Sequence, residues 1–336
     1  MESSRACRGH HGRDGRDGRD GRDGRDGRRA RRSRRRPLLS VALAVVAVGG
    51  VTAGGTAFVR ARAHSGTAAV SSAATTSASP SAGAGEEASV EPGTEPAVDR
   101  TALLGKAMSA VGVPSGAQVS AAVLAVDSGE SVAYGNAAFD TASIVKVDIL
   151  ATLLLQAQDA DRRLTATEKA YATKMIENSD NASATALWHT IGRADGLDAA
   201  NKRFGLTATF GGEGELWGLT QTTATDQLAL LQQVFLEGSE LSAASRGYVR
   251  GLMESVEADQ RWGVSAAAEG DSWALKNGWL PRSTTGLWDV NSIGRVTVGG
   301  TGYLVAVLSR GTRTQAEGIA LVEAAARAAV SAFTGE

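Results

Sequence analysis

Two residues three apart, Ser143 and Lys146, pose the sharpest chemical question in this sequence. They lie in Asp140–Leu150, "DTASIVKVDIL", which runs on into a nearly continuous apolar stretch, SIVKVDILATLLL. Helical spacing puts both side chains on one face. A helix apolar nearly all round belongs inside a domain, where an ammonium must be paired, neutralised or used. Burial lowers a lysine's pKa, and a neutral amine beside a hydroxyl can take its proton and make the serine a nucleophile. Asp140 or Thr141 is expected to cap the helix. That would leave Ser143 in its first turn, where the macrodipole favours a developing alkoxide. Alone, S-x-x-K is common and fits a capping serine and a lysine that snorkels to the surface better than it fits a catalytic pair.

Two further groups qualify as partners. Ser179-Asp180-Asn181 falls between a helix ending near Glu177 and another running from about Ala182 to Ile191; by itself the tripeptide is an ordinary helix N-cap. Lys276-Asn277-Gly278, followed by Trp279, lies on a strand pattern from Trp273 to Leu280, also unremarkable in isolation. Other chemistries find little support. Of four histidines only His189 falls beyond residue 64, which leaves neither a His-based triad nor a His cluster for zinc. The single cysteine, Cys7, permits no intrachain disulfide and no cysteine-ligated metal. No P-loop or post-strand G-x-G-x-x-G is present. We expect no metal and no cofactor, and read the six tryptophans as core and cleft packing.

The elements that must position these groups fill the second part of the chain. Of 336 residues 43% are hydrophobic, enough for a substantial core. Charge divides the sequence: residues 1–62 hold 16 Arg against 6 acidic residues, and the remainder 19 Lys+Arg against 30 Asp+Glu. Such asymmetry points to two compartments. Residues 1–36 read as a basic cytoplasmic tail with five Gly-Arg-Asp repeats and seven Arg between Arg28 and Arg36. With no interleaved aromatics, this tail is not read as a nucleic-acid arm.

Residues 37–59 form an uncharged segment about 35 Å long as a helix, against a hydrocarbon core of about 30 Å. It reads as a transmembrane signal-anchor or as a signal peptide, with small-residue cleavage sites such as Val51-Thr52-Ala53. Arg35-Arg36-Pro37 loosely fits a twin-arginine export signal. No cysteine follows the segment to serve as a lipoprotein anchor. Residues 60–97 are a disordered linker of small and polar residues. Residues 98–336 form one catalytic domain, outside the cytoplasmic membrane if anchored and secreted if the signal is cleaved.

In this domain the patterns predict a helix over Arg100–Val111 and a hairpin of Val119–Val126 and Ser131–Gly135. The apolar helix from Ser143 and a helical middle from about 165 to 258 follow. Strands return over Ser272–Leu280, Trp288–Val298 and Tyr303–Ser309, the last two joined by Gly299-Gly300-Thr301-Gly302. A final helix covers Thr314–Phe333. The implied fold is α+β, an antiparallel sheet built from both ends of the domain with flanking helices and a helical subdomain.

The order S-x-x-K on a buried helix, S-D-N in an inter-helix loop and K-x-G on a strand resembles the penicillin-recognising serine enzymes. The nearer resemblance is to class A β-lactamases, over about residues 120–336. The resemblance implies an acyl-enzyme hydrolase acting on a β-lactam or a cell-wall peptide, a monomer with no nucleic-acid partner. Ser143 would be the nucleophile and Lys146 its proton acceptor, directly or through water. Ser179 would relay a proton to the leaving nitrogen. Asn181 would hold the substrate amide and Lys146, and Lys276 would add positive charge near Ser179. The backbone N–H groups of Ser143 and Trp279 would form the oxyanion hole. Two departures stand out. Asn277 replaces a hydroxyl residue that binds the substrate carboxylate, and the stretch TFGGEGELWGLTQTTATDQLALL lacks the E-x-x-L-N of the deacylating glutamate. Glu213 and Glu215 are the candidates for that base. The readings carried forward are a slowly hydrolysing β-lactamase-like enzyme, a D,D-peptidase, and a non-catalytic cell-wall-binding domain.

Overall fold

The computed structural model describes residues 98–335. The tail, the apolar segment and the linker assigned to 1–36, 37–59 and 60–97 lie outside the described residues. Among the described residues no helix is long and apolar enough to cross a membrane.

The chain opens with α1 (Arg100–Ser109), β1 (Gln118–Ala125), β2 (Ser131–Tyr134) and the short β3 (Phe139–Asp140). Next come α2 (Val145–Asp159), α3 (Ala166–Glu177), α4 (Asn181–Thr190), α5 (Arg193–Phe204), the short β4 (Gln221–Thr222), α6 (Ala224–Phe235) and α7 (Ala243–Glu254). Strands β5 (Trp273–Pro281), β6 (Trp288–Val298) and β7 (Thr301–Thr312) then lead into α8 (Gln315–Thr334). The five long strands make one antiparallel sheet in the order β2-β1-β7-β6-β5, so the N-terminal hairpin pairs with the C-terminal strand across the domain. This is the α+β architecture expected from the sequence.

Strand alternation divides the core into two layers. Ala122, Leu124, Ile293, Leu304, Ala306 and Leu308 face α2 and the helical subdomain. Ala121, Val123, Leu275, Val290, Val305 and Val307 face the side covered by α1 and α8. Helix α2 runs through the first layer with every residue from Val145 to Leu155 buried, so its stability comes from packing on all sides.

Two boundaries and one cap differ from the sequence expectation. Strand β7 begins at Thr301, because Gly299 and Gly300 suffice as a two-residue turn at φ 57° and 79°; both central residues of such a hairpin turn need positive φ. The serine helix starts at Val145, with Ala142–Ile144 forming a 3₁₀ turn ahead of it. Neither Asp140 nor Thr141 caps it: no side-chain cap bond is made at either turn, and the Asp140 carboxylate is taken by Arg282 and Gln221.

Candidate active site

Ser143 lies half-buried in the 3₁₀ turn, at the floor of a cleft of about 590 Å³. Ala142 before it has φ 48°, a left-handed conformation that costs a non-glycine residue roughly 1–2 kcal/mol. Edge strand β5 holds this turn from the side. A Cβ on Gly278 would stand 2.7 Å from the Ser143 nitrogen and 2.8 Å from that of Ile144, so only glycine lets the strand lie against the serine's backbone.

Lys146, one turn on, is 0% exposed and does not snorkel. Its Nζ donates to the Ser179 carbonyl at 2.6 Å, to Ser179 Oγ at 3.1 Å and to Asn181 Oδ1 at 2.8 Å. These contacts use all three hydrogens of the protonated form. A neutral amine would release one and expose a lone pair. Burial pushes its pKa down to about 7, opposed by the Asp180 carboxylate. Ser143 Oγ makes no hydrogen bond to any described residue, so its proton reaches Lys146 only by rotamer adjustment or through a bridging water.

Ser179 sits at φ 53° in the loop between α3 and α4. Such strain gathers at sites where the surroundings fix the backbone, and here it turns the carbonyl towards Lys146. Asp180 caps α4 by accepting from the Ser183 N–H at 2.7 Å, which makes Asn181 the first residue of that helix. Lys276 is also 0% exposed, and its Nζ meets Ser179 Oγ at 3.0 Å and the Asn277 carbonyl at 2.8 Å. Burial and the neighbouring Lys146 hold its pKa well below the usual lysine range. The Ser179 oxygen therefore lies between two lysine nitrogens.

The structure thus brings Ser143, Lys146, Ser179, Asn181, Lys276, Gly278 and Trp279 together; Trp279 lines the cleft and packs on Trp262 at 5.9 Å. Asn277 is not among them. It follows Lys276 on the strand and so faces the other side of the sheet, donating to the Gln260 and Trp262 carbonyls at 2.7 and 3.0 Å. Its amide does not replace the missing hydroxyl in the cleft.

The two glutamates also depart from expectation. Glu213 is exposed and lines no part of the cleft. Glu215 reaches the rim, but its side chain is 52% exposed and engaged by His189 at 2.6 Å and Arg193 at 3.0 Å. The residue of this loop that reaches Lys146 is Trp217, whose ring centroid lies 5.0 Å from Nζ. Its indole N–H donates to Thr185 Oγ1 at 3.1 Å. Sequence reasoning places Trp217 only among packing residues; its signal is a large aromatic in the loop where a carboxylate is sought.

Arg282 enters the far end of the cleft from the end of β5, paired with Asp140 and 3.8 Å from Asp289. A larger concavity, about 810 Å³, lies near the opposite end of β5 around Trp273, Arg250, Arg261 and Arg295, and holds none of the motif residues. Among the described residues no group of three or more His, Cys, Asp or Glu could hold a metal ion.

Comparison with known proteins agrees with this fold. A sequence profile described as the beta-lactamase enzyme family matches residues 103–333. LppW of Mycobacterium tuberculosis, a protein whose name classes it as a candidate lipoprotein, is 29% identical over 260 residues, spanning 73% of this chain and 82% of its own. The structure of PBP-A superposes with a TM-score of 0.61 at 19% identity, covering 70% of this chain and 97% of that one. A beta-lactamase from Sphaerobacter thermophilus gives 0.58 at 20% identity, covering 70% and 98%. At these identities the two superpositions establish the shared fold.

Proposed function

This chain belongs to the beta-lactamase enzyme family, and from that premise we propose that it is a serine hydrolase that forms an acyl-enzyme on Ser143 and releases it slowly. The observation that carries the reading is a fully buried lysine, one helical turn from a cleft serine and bonded to Ser179 and Asn181.

In acylation, Ser143 Oγ attacks the carbonyl carbon of a β-lactam or related amide. Its proton passes to neutral Lys146, directly or through water, and the backbone N–H groups of Ser143 and Trp279 receive the oxyanion. When the C–N bond breaks, the leaving nitrogen takes the Ser179 hydroxyl proton, and Lys146 restores that proton along their 3.1 Å hydrogen bond. Asn181 holds the substrate amide, and Lys276 holds Ser179 in register. Hydrolysis needs a base for the incoming water, normally worth ~10²–10⁴-fold. Glu215 is committed to His189 and Arg193, which supports a slow second step.

The domain is proposed to act outside the cytoplasmic membrane, anchored through 37–59 or secreted. The arginine block before that segment supports this, as does the lipoprotein naming of LppW, although here no cysteine follows the apolar run. The same residues would serve a D,D-peptidase on peptidoglycan peptides.

Mass spectrometry of the protein after exposure to a penicillin, followed over time, tests the proposal. One adduct that forms quickly, persists, and is lost in folded Ser143→Ala is the expected result. Absence of any adduct with several β-lactams would refute it in favour of a binding domain. Rapid turnover abolished by Glu213→Gln or Glu215→Gln would refute the slow release.

A further inference from the structure

Trp217 and Lys146 are 71 positions apart in sequence, yet the indole covers the lysine. The loop that carries it is fixed at several points. Trp188 donates its indole N–H to the Gly214 carbonyl at 2.8 Å, and Glu215 is clamped by His189 and Arg193. The Gly212 N–H bonds Thr220 Oγ1 at 3.1 Å, and the Thr141 N–H bonds the Thr220 carbonyl at 2.9 Å, tying the loop to the strand before Ser143. Gly212 is required: a Cβ there would lie 2.0 Å from the Leu216 carbonyl oxygen. With its loop anchored and its N–H held by Thr185, the Trp217 ring is kept over Lys146.

We propose that Trp217 is a positioning residue that sets the lifetime of the acyl group on Ser143 by keeping water from Lys146 and from the ester. This deepens the function proposed above and rests on it. Release requires a water oxygen to attack the ester carbonyl carbon while a base accepts its proton. Lys146, one helical turn from Ser143, is the base assigned to that proton. Neutral Lys146 can keep only two of its three contacts to Ser179 and Asn181, and the indole at 5.0 Å covers the side from which a water would approach the freed lone pair. A water in place of the indole would give its proton to neutral Lys146 and attack the carbonyl. The C–Oγ bond would break, and Ser143 Oγ would take the proton from the lysine, restoring both residues.

Trp217→Ala and Trp217→Phe separate this role from general loosening of the loop. In the alanine variant the penicilloyl adduct should decay at least about tenfold faster, a modest part of the ~10²–10⁴-fold that general-base help can supply. Its decay should also rise with pH as Lys146 deprotonates. Phenylalanine retains a ring over Nζ, so its adduct should decay within about threefold of the parent rate. A second readout needs no substrate: NMR titration of ¹³Cε-labelled lysine. Water admitted by alanine relieves the desolvation of Lys146, so its pKa should rise by about one pH unit or more, and phenylalanine should hold it. Unchanged decay in folded Trp217→Ala, or equal acceleration by both variants, would overturn the proposal. If the parent protein forms no adduct, the acylation reading fails, and the titration decides this one. An unmoved Lys146 in folded Trp217→Ala would then overturn it.

Discussion

The pH dependence of acylation is where the site geometry makes its most quantitative demand. In the proposed mechanism the neutral form of Lys146 is the base, and burial lowers its pKa from 10.5 to about 7. With a pKa near 7, about a tenth of the lysine is neutral at pH 6 and about nine-tenths at pH 8. The second-order rate of acylation should therefore rise about tenfold between those values and level off above pH 8. An unperturbed lysine behaves differently. Its neutral fraction grows about tenfold per pH unit, roughly a hundredfold from pH 6 to 8, with no plateau below pH 10. The sign follows from the causes: desolvation penalises the ammonium, and the Asp180 carboxylate that favours it is the weaker influence. Stopped-flow measurement with a fluorescent penicillin from pH 5 to 9 distinguishes the two curves. A rate that keeps climbing tenfold per unit through pH 9 would refute a buried, depressed lysine as the base. A rate flat across the range would refute Lys146 as the titrating base.

Two other perturbations test how the site is supported. Gly278→Ala places a Cβ 2.7 Å from the Ser143 nitrogen, and overpacking of this kind costs roughly 1–3 kcal/mol. Acylation should fall more than tenfold while far-UV circular dichroism stays native; full activity would show that β5 and the serine turn can separate freely. Asp148, on α2 two residues past Lys146, is 1% exposed with no hydrogen-bond partner for either oxygen. Burial raises its pKa to about 8, opposed by the neighbouring Asn201 amide and reinforced by Asp198 and Asp226. The unfolded carboxyl ionises from about pH 4 and the folded one only near 8, so stability is lost as pH rises through that window. Each tenfold loss of acidity on folding is worth about 1.4 kcal/mol, so Asp148→Asn should be more stable by a few kcal/mol at pH 8, with less difference at pH 5. Urea unfolding at both pH values measures this, and a variant weaker at both would count against it.

Local pattern alone accounts for much of this protein. The apolar runs of β1 and α2 and the capping residues of α4 and α8 are properties of adjacent residues, and each element forms close to its predicted limits. The pairing of Ser143 with Lys146 is equally legible, because positions three apart on a helix or helical turn stay neighbours whatever surrounds them. The order of the three motifs, each on its own kind of element, is enough to bring out the family.

Side-chain direction in the loops is not legible. Glu215 and Trp217 are two residues apart and equally eligible on paper to meet Lys146. Three anchors on α4, Trp188, His189 and Thr185, together with Arg193 at the start of α5, turn the carboxylate outward and the indole inward. The direction of Asn277 is hidden for a related reason, since its strand neighbour Lys276 has to face Ser179 and alternation sends the amide to the other side. Each outcome depends on contacts between segments far apart in the chain. Spacing within a segment fixes which side chains are neighbours, and only packing between segments decides what those neighbours face.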